Sequence, residues 1–151
     1  MGLRFFTVYG PGGRPDMAPS LFLHALLDGR PIRVFNHGDL SRDFTYIDDI
    51  VEGILCILRG LPADGSLCRV YNIGRSEPVQ LMDFIHALEE VSGCKAVLQM
   101  EPMQPGDVHC TYADTSALQR DFGYRPSVSL HEGIRRFYDW ATAAENTSRT
   151  A

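Results

Sequence analysis

Residues 41–50 bring an arginine, a short strand-like run and an acidic helix start together within ten positions. The adjacent carboxylates Asp48 and Asp49 could work as a pair in acid–base chemistry, in which one carboxyl donates a proton and the other accepts one. Their position favours another interpretation, because Thr45-x-x-Asp48 resembles a capping box and acidic side chains stabilise the positive end of a helix. We therefore expect both aspartates to serve the start of a helix.

A second candidate for chemistry is Arg14, which follows the glycine-rich run Gly10–Gly13. A P-loop needs Gly-Lys-Ser/Thr after four spacer residues, and a dinucleotide fingerprint needs three spaced glycines that open a helix; the run is neither. One interpretation is a plain turn. The other is that Arg14 is aimed into a cleft, where its planar guanidinium would suit a carboxylate or a phosphate.

Other kinds of site find no support in the sequence. The five histidines are scattered without H-x-x-x-H spacing, so we predict no metal site. There is no Gly-x-Ser-x-Gly elbow of the kind that hydrolases use. The four cysteines form no C-x-x-C pair that would indicate zinc or redox chemistry. Cys56 lies in an apolar helical pattern, and we expect it to be a small buried hydrophobe.

The composition is that of a globular protein. The 151 residues are about one domain long, and 44% of them are hydrophobic. A net charge of −5 argues against a nucleic-acid partner, since binding to phosphates needs a basic face. No apolar run reaches the ~20 residues that span a bilayer, and the N-terminus does not form a signal peptide. We therefore expect no membrane partner, and the cysteines without local pairing favour the reducing cytoplasm as the compartment.

Strand-like and helical patterns alternate along the chain, which predicts an α/β fold. Asp16 is expected to cap the first helix, Asp114 or Thr115 a short fourth helix, and a Ser129-x-x-Glu132 capping box the last one. The second helix should bury one apolar stripe, and loops are expected at 60–66 and 102–109. Strands are predicted at 3–9, 32–36, 43–47, 70–73 and 96–100, and helices near 17–27, 50–58, 81–91, 115–123 and 132–141. The stripe consists of Ile50, Val51, Ile54, Leu55 and Leu58.

The strand at 3–9 has the composition of a buried parallel strand, although no other strand precedes it in the chain. It is typical of the last strand of a sheet whose other strands are elsewhere. An uncovered apolar face of this kind favours association. We therefore predict self-association or binding to a complementary N-terminal half.

An ordered series of motifs covers the chain from Gly2 to about Ala141. Residues 42–50, for example, read Arg-Asp-Phe-Thr-Tyr-Ile-Asp-Asp-Ile. The series resembles the C-terminal part of UDP-glucuronate 4-epimerases, which belong to the NAD-dependent epimerase/dehydratase family of the extended short-chain dehydrogenase/reductase superfamily. The matching segments are Gly2–Met17, Val34–Gly38, Arg42–Ile50, Tyr71–Gly74, Pro102–Val108, Tyr112–Thr115 and Phe122–Pro126.

The resemblance implies one substrate-binding portion over residues 1–144. In it, residues 1–10 would be a late strand of a Rossmann-type sheet, most of which is missing. Residues 145–151 are polar and are expected to form a frayed tail.

The resemblance assigns three residues to the sugar end of a bound UDP-sugar. Thr7 and Arg14 would lie near the uronate carboxylate, and Arg14 would donate a charge-assisted hydrogen bond to it. Met17 would lie against the sugar nucleotide at the next helix start. The alternative for Thr7 is a strand residue that faces the core.

Five further residues match the nucleotide end. Val34 and Phe35 match the short strand that holds the uracil, with plain strand core as the alternative. Arg42 matches the arginine that grips the diphosphate, with a solvated surface arginine as the alternative. Gln104 and Asp107 match the loop over the ribose and the diphosphate, where Asp107 could accept hydrogen bonds from ribose hydroxyls.

The reaction that the resemblance implies moves a hydride from C4 of the sugar to NAD and returns it to the other face of a keto intermediate. Its base is the tyrosine of a Tyr-x-x-x-Lys pair. Lys95 is the only lysine of this chain, and the residue four positions before it is Val91, so the pair is absent. The NAD fingerprint is absent as well. We therefore expect no catalytic residue, no NAD binding and no epimerase activity in this chain alone.

The leading hypothesis is thus the UDP-sugar-binding part of an enzyme that converts UDP-glucuronate to UDP-galacturonate. A second hypothesis is a non-catalytic nucleotide-sugar binding or interaction module that uses the same pocket. A third is part of another sugar-nucleotide enzyme, such as a dTDP-sugar dehydratase or a UDP-xylose-related decarboxylase. Thr7, Arg14 and Gln104 argue against the third.

Overall fold

The computed structural model describes residues 1–62 and 68–149, and for residues 144–149 it describes the backbone alone. Strands and helices alternate through this part of the chain, which confirms the α/β class. The strands are β1 (Gly2–Phe5), β2 (Thr7–Tyr9), β3 (Ile32–Val34), β4 (Ser41–Tyr46), β5 (Val70–Ile73), β6 (Pro78–Gln80) and β7 (Leu98–Met100). The helices are α1 (Ala18–Leu27), α2 (Ile47–Gly60), α3 (Leu81–Ser92), α4 (Ser116–Phe122) and α5 (Leu130–Arg149), with a 3₁₀ helix at Phe35–Gly38.

The strand predicted at 3–9 is broken at Phe6, and its two pieces join different sheets. β1 pairs in parallel with β5, which places Leu3 opposite Tyr71. β2 pairs in parallel with β4, which places Thr7 opposite Phe44. Within the described residues, β1 and β2 each have a strand on one side only, so both leave an open backbone edge.

β4 is the central strand of the sheet β2–β4–β6, and its pairing with β6 is antiparallel. A third sheet consists of β3 and β7 in parallel. β3 ends at Val34 rather than at the predicted residue 36, because Phe35 begins the 3₁₀ helix and Asn36 and His37 have φ angles of 48° and 51°. Positive φ angles are incompatible with a continuing strand.

Two groups of buried apolar side chains hold these elements together. The larger group lies between the β2–β4–β6 sheet and helices α1, α3 and α5, and Tyr9 contacts Phe84 within it edge to face at 5.5 Å between ring centres. The smaller group lies beneath α2 and α4. It consists of Ile50, Ile57, Tyr71, Ile73, Leu118 and Tyr124.

Several predicted caps are wrong. Met17, not Asp16, is the N-terminal boundary residue of α1, and it makes no side-chain capping bond. Tyr46 holds the same position for α2, and Thr45 donates its hydroxyl to Asp43 instead of capping. The prediction for α4 is confirmed for Asp114, whose Oδ1 accepts a hydrogen bond from the backbone N–H of Ser116 at 3.0 Å, whereas Thr115 makes no capping bond. At the starts of α1 and α2 the predicted capping side chains instead bond residues that precede the helix, Asp16 to Arg14 and Thr45 to Asp43.

Other helix ends follow the sequence signals. Gly93 ends α3 and Gly123 ends α4, each with a φ angle of 70° in the left-handed region that glycine tolerates. The backbone N–H of Glu132 donates to Ser129 Oγ at 3.3 Å, which is half of the predicted capping box. Glu132 itself pairs with Arg135 and Arg136.

The apolar stripe predicted for α2 is buried only in part. Ile50 and Ile57 are in the core, whereas Val51 and Leu58 are 47% and 59% exposed and Leu55 is exposed as well. A second apolar stripe therefore faces outward, beside the buried one. Cys56 is half-buried rather than buried as predicted.

Two predictions concern irregular segments. The tail expected to fray after residue 144 is helical through Arg149. The segment predicted as a loop at 102–109 contains no helix or strand. Of the loop predicted at 60–66, residues 63–66 lie outside the described residues.

Candidate functional site

A cavity of about 570 Å³ opens between the start of α1, the strands β2, β3 and β4, and the loop that follows β7. Binding sites for small molecules have volumes of about 300–1,000 Å³, so the cavity is large enough for a nucleotide-sized ligand. Six of the eight residues predicted as a binding site line it. They are Thr7, Met17, Phe35, Arg42, Gln104 and Asp107.

Arg42 is held in the cavity wall by a set of hydrogen bonds. Its Nη2 donates to Asp107 Oδ1 at 2.6 Å, and its Nη1 donates to the carbonyl oxygens of Ser41 at 2.8 Å and His109 at 3.3 Å. The side chain is only 15% exposed. The alternative of a solvated surface arginine is therefore wrong, and the guanidinium of Arg42 is held in one position at the cavity wall.

A tight turn places Gln104 and Asp107 side by side at the cavity. The backbone N–H of Asp107 donates to the carbonyl oxygen of Gln104 at 3.1 Å. Pro105 and Gly106 are the two central residues, and Gly106 has a φ angle of 83°. Proline followed by a residue of positive φ is the signature of a type II turn, in which glycine is preferred at the second central position.

Met17 lies where the cavity meets a second, neighbouring groove, and Thr7 lines the cavity. Thr7 is half-buried in β2, and Met17 lines both the cavity and the groove. The groove has a volume of about 440 Å³ and runs along the open edge of β1 and β2, where Phe5 and Val8 line it. A ligand longer than the cavity would therefore extend from it into the groove past Met17.

Arg14 lines the groove rather than the cavity. Its Nη2 pairs with Asp16 Oδ2 at 2.5 Å, and both side chains are largely exposed. The hydrogen bond from Arg14 lowers the pKa of Asp16 below its ordinary value. The arginine is thus separated from the other predicted residues, with Met17 between them.

Val34 is not brought to the cavity. Its side chain is completely buried in the larger core, and its carbonyl oxygen accepts a hydrogen bond from the backbone N–H of Glu101 at 2.9 Å. The structure thus places Val34 as strand core. Phe35 does line the cavity, and the guanidinium of Arg33 lies over its ring at 5.0 Å from the ring centre.

The glycine run before Arg14 is a turn, as one of the two interpretations had it. The backbone N–H of Gly13 donates to the carbonyl oxygen of Gly10 at 3.1 Å, and Gly12 has a φ angle of 71°. Helix α1 begins only at Ala18. No helix N-terminus follows the glycines directly, so this is not a phosphate-binding loop of the P-loop or dinucleotide kind.

Two cavity arginines were missed from the sequence. Arg30 and Arg33 line the cavity together with Arg42, whereas Asp16 and Asp107 are the carboxylates of its lining. The alternation within β3 is the signal that could have found Arg33, because Ile32 and Val34 are buried and the residue between them faces away from the core. Each of the three guanidinium groups is paired with a carboxylate, Arg30 with Asp28, Arg33 with Glu101 and Arg42 with Asp107.

The acid–base interpretation of Asp48 and Asp49 is excluded by their positions. Asp48 pairs with Arg136 at 3.1 Å, and Asp49 is buried and accepts a hydrogen bond from the backbone N–H of Ser127 at 2.8 Å. Neither residue lines the cavity. Both lie in the first turn of α2, as expected from the charge of that helix end.

Two buried tyrosines are equally unsuited to proton transfer. Tyr9 donates to the carbonyl oxygen of Leu130 at 3.2 Å, and Tyr124 donates to that of Gly74 at 2.9 Å. Burial raises the pKa of both hydroxyl groups above the ordinary value of tyrosine.

Across residues 1–62 and 68–149, no three His, Cys, Asp or Glu side chains are grouped so that they could hold a metal ion. None of the helices in that part of the chain has the length and hydropathy of a membrane span.

Comparisons with known proteins place these observations in context. Residues 1–74 match the family model described as the NAD dependent epimerase/dehydratase family. The chain is 48% identical to an uncharacterized 37.6 kDa protein of Escherichia coli O111:H-, over 92% of this chain and 46% of that protein. It is 43% identical to a probable UDP-glucuronate 4-epimerase of Rhizobium meliloti, over 91% of this chain and 45% of that protein.

A solved structure is similar as well. The UDP-glucuronic acid 4-epimerase of Bacillus cereus, in complex with UDP-glucuronic acid and NAD, superposes with a TM-score of 0.86 at 37% sequence identity. The match covers 94% of this chain and 45% of that one. The chain spans somewhat less than half the length of these relatives.

Proposed function

The chain belongs to the NAD dependent epimerase/dehydratase family, and on that premise we propose that it is the UDP-sugar-binding portion of a UDP-glucuronate 4-epimerase. The observation that carries the proposal is the single cavity lined by Thr7, Met17, Phe35, Arg42, Gln104 and Asp107. The whole enzyme would interconvert UDP-glucuronate and UDP-galacturonate through a 4-keto intermediate.

The nucleotide end of the ligand would occupy the cavity. Arg42 would donate charge-assisted hydrogen bonds to the diphosphate, and its bonds to Asp107 and two carbonyl oxygens hold the guanidinium ready for that contact. Asp107 would accept hydrogen bonds from the ribose hydroxyls. Phe35 would provide an apolar face for the uracil, beside the turn that carries Gln104.

The sugar end would extend past Thr7 and Met17 into the groove. There the uronate carboxylate would meet Arg14. The pair between Arg14 and Asp16 is exposed, and exposed ion pairs contribute little to stability. The carboxylate of the ligand can therefore replace Asp16 as the partner of Arg14 at small cost.

The described residues do not fit NAD. The glycines after β2 form a turn closed by Gly13 and Gly10, and α1 begins five residues after Gly13, so no helix N-terminus is presented to a pyrophosphate. The sequence has no Tyr-x-x-x-Lys pair that could supply the base of the reaction. We derive no catalytic step from this chain and propose that it is inactive alone and does not bind NAD.

The open edge of β1 and β2 is the proposed partner surface. Phe5 is 51% exposed at this edge. Parallel sheets are ordinarily covered on both faces and paired on both sides of inner strands. We propose that a complementary N-terminal Rossmann half covers this surface, and that the chain self-associates through it when alone. A strictly monomeric sedimentation profile would count against the second part.

The cysteines bear on the compartment. Cys56, Cys68, Cys94 and Cys110 are all free thiols. Unpaired cysteines are typical of proteins from a reducing environment. The proposal therefore includes the cytoplasm as the compartment.

The first test is ligand-observed NMR on the purified chain with UDP, UDP-glucuronate, dTDP and NAD in separate samples. We expect UDP and UDP-glucuronate to bind, dTDP to bind more weakly, and NAD not to bind. Preference for dTDP would favour a dTDP-sugar enzyme, and binding of NAD would contradict the account of the glycine turn. Absence of binding by every uridine compound would refute the claim that this portion has a complete pocket. Turnover of UDP-glucuronate by the pure chain would refute its inactivity.

A further inference from the structure

Asp43 is a buried carboxylate that the sequence did not single out and that does not line the cavity. The residue is 0% exposed. Its Oδ1 accepts hydrogen bonds from the backbone N–H of Arg75 at 2.9 Å and from the hydroxyl of Thr45 at 3.2 Å. Its Oδ2 accepts from the backbone N–H groups of Ser76 at 3.0 Å and Ala113 at 2.9 Å. A carboxylate in the interior is tolerated only when its oxygens are satisfied in this way.

These four hydrogen bonds join three segments that are distant in the sequence. Asp43 belongs to β4, Arg75 and Ser76 to the turn after β5, and Ala113 to the segment after the 102–109 loop. The segments approach closely, since a Cβ atom added to Gly74 would lie 2.5 Å from that of Ala113. Ser76 reinforces the contact by donating its hydroxyl to the carbonyl oxygen of Ala113 at 2.6 Å.

The backbone around Asp43 binds the same segment a second time. The N–H of Asp43 donates to Thr111 Oγ1 at 3.1 Å, and the N–H of Thr111 donates to the carbonyl oxygen of Ser41 at 3.2 Å. The N–H of Ser41 donates in turn to the carbonyl oxygen of His109 at 2.9 Å. Residues 109–113 are thus tied to β4 directly beside Arg42.

We propose that Asp43 is a positioning residue for the diphosphate grip. By holding residues 109–113 against β4, it sets the place of the loop that carries Asp107, so that this carboxylate meets Arg42 at the cavity wall. The successive strand residues face opposite sides, which puts Arg42 at the cavity and Asp43 in the interior. That the ligand is a diphosphate rests on the proposed function, whereas the effect of Asp43 on the position of the loop does not.

The substitution Asp43→Asn isolates the effect, because asparagine has nearly the same volume. All four contacts are donated to the carboxylate, and an amide has only one oxygen. The amide nitrogen would therefore face two donors, either Ser76 and Ala113 or Arg75 and Thr45. Both donors would lose their acceptor.

The chain offers a matched control in Asp49. This carboxylate is also buried, and it accepts hydrogen bonds from the backbone N–H groups of Ser127 at 2.8 Å and Val128 at 3.1 Å. It joins α2 to the segment before α5, and it does not line the cavity. Asp49→Asn should destabilise the folded state in the same way, by leaving buried backbone donors unsatisfied, but between α2 and the segment before α5.

The experiment is site-resolved hydrogen exchange on the full chain, measured for wild type, Asp43→Asn and Asp49→Asn under conditions in which all three are folded. We expect Asp43→Asn to speed exchange at residues 107–113 by about tenfold or more. Each unsatisfied buried donor destabilises the folded state, and the resulting increase in local unfolding is confined to this segment. Asp49→Asn should leave those amides within about twofold of wild type and speed exchange at 127–128. Equal profiles at 107–113 in the two variants would overturn the proposal.

UDP affinity gives the second readout. It should fall by about tenfold in Asp43→Asn and by less than about twofold in Asp49→Asn. If wild type binds no UDP, the proposed function fails while the exchange result still decides the positioning role. If Asp43→Asn does not fold, Thr111→Val takes its place, with exchange at 107–113 expected to rise by about threefold. Unchanged exchange in that variant would overturn the proposal.

Discussion

The β2–β4–β6 side and the β1–β5 side of this molecule are built to different degrees of completeness. On the first, β4 has a neighbour on each side and the larger core packs against it. On the second, β1 has β5 as its one partner among the described strands, and six residues form the buried part of the core. Phe44 is 1% exposed on the first side, whereas Phe5 is 51% exposed on the second.

This difference separates binding of the nucleotide from selection of the sugar and contact with a partner. The cavity and its Arg42–Asp107 pair lie against the central strand β4. Arg14 and the groove lie at the open edge of β1 and β2. Binding of the nucleotide should therefore depend on this chain alone, whereas selection of the sugar and contact with a partner depend on a surface that is open in this chain.

The largest contrast is expected for two phenylalanines. Phe44→Ala should lower the free energy of unfolding by about 3–5 kcal/mol, because it removes a buried aromatic ring and leaves a cavity. Phe5→Ala should change it by no more than about 0.5 kcal/mol, as for exposed positions in general. Urea unfolding followed by circular dichroism measures both. Comparable losses would mean that the open edge is already covered in solution, which self-association would explain.

Binding of UDP should distinguish Arg42 from an arginine outside the cavity. Arg42→Gln is expected to weaken UDP about tenfold to a hundredfold, because hydrogen bonds to a charged group contribute about 1.5–3 kcal/mol. Arg59→Gln is the control, since Arg59 pairs with Glu52 on the surface of α2. Titration calorimetry with UDP measures the two. Equal affinities in the two variants would remove Arg42 from the site.

Arg14 should affect the sugar and not the nucleotide. Arg14→Gln is expected to reduce the preference for UDP-glucuronate over UDP-glucose by no more than about fivefold, because an exposed ion pair contributes little. Its affinity for UDP should be that of wild type. The measurement is a competition titration with the two sugars. A loss of UDP affinity equal to the loss for UDP-glucuronate would place Arg14 at the diphosphate instead.

The sequence predicted the fold well where local periodicity decides it. The helices α3 and α4 end at the expected glycines, and the α/β alternation is present. The prediction was wrong where tertiary contacts determine the structure. Phe6 interrupts a run of β-forming residues because the two halves pair with different strands, and no property of residues 3–9 alone contains that information.

The site was predicted to a similar extent. The resemblance that the ordered motifs carry named eight residues, and six of them line one cavity. Such motifs can be recognised along the sequence without knowledge of how the chain packs. Asp43 was overlooked because its partners Arg75, Ser76 and Ala113 lie 32–70 positions away. The cap predicted at Thr45 was wrong because the hydroxyl of Thr45 donates to Asp43, whose burial depends on the same distant segments.

The smallest expected effect concerns Asp121, which supports the less complete side. Tyr71 in β5 donates to its Oδ2 at 2.9 Å, and Arg69 and Arg120 also contact it. The hydrogen bond from Tyr71, followed by that from Arg120, lowers the pKa of Asp121 below its ordinary value. Because the pKa is lower in the folded protein, the stabilisation is complete above the unfolded value of about 3.9 and is lost as the pH falls through the folded value.

The difference in the free energy of unfolding between wild type and Asp121→Asn should therefore be largest at about pH 6 and should narrow by about pH 3. Urea unfolding at the two pH values measures it. Tyr71→Phe removes the donor but keeps the ring, so the same Asp121→Asn substitution in that background should show a weaker dependence on pH. A difference that stays constant with pH would contradict this account, because it would show that the charge of Asp121 does not contribute to the link between α4 and β5.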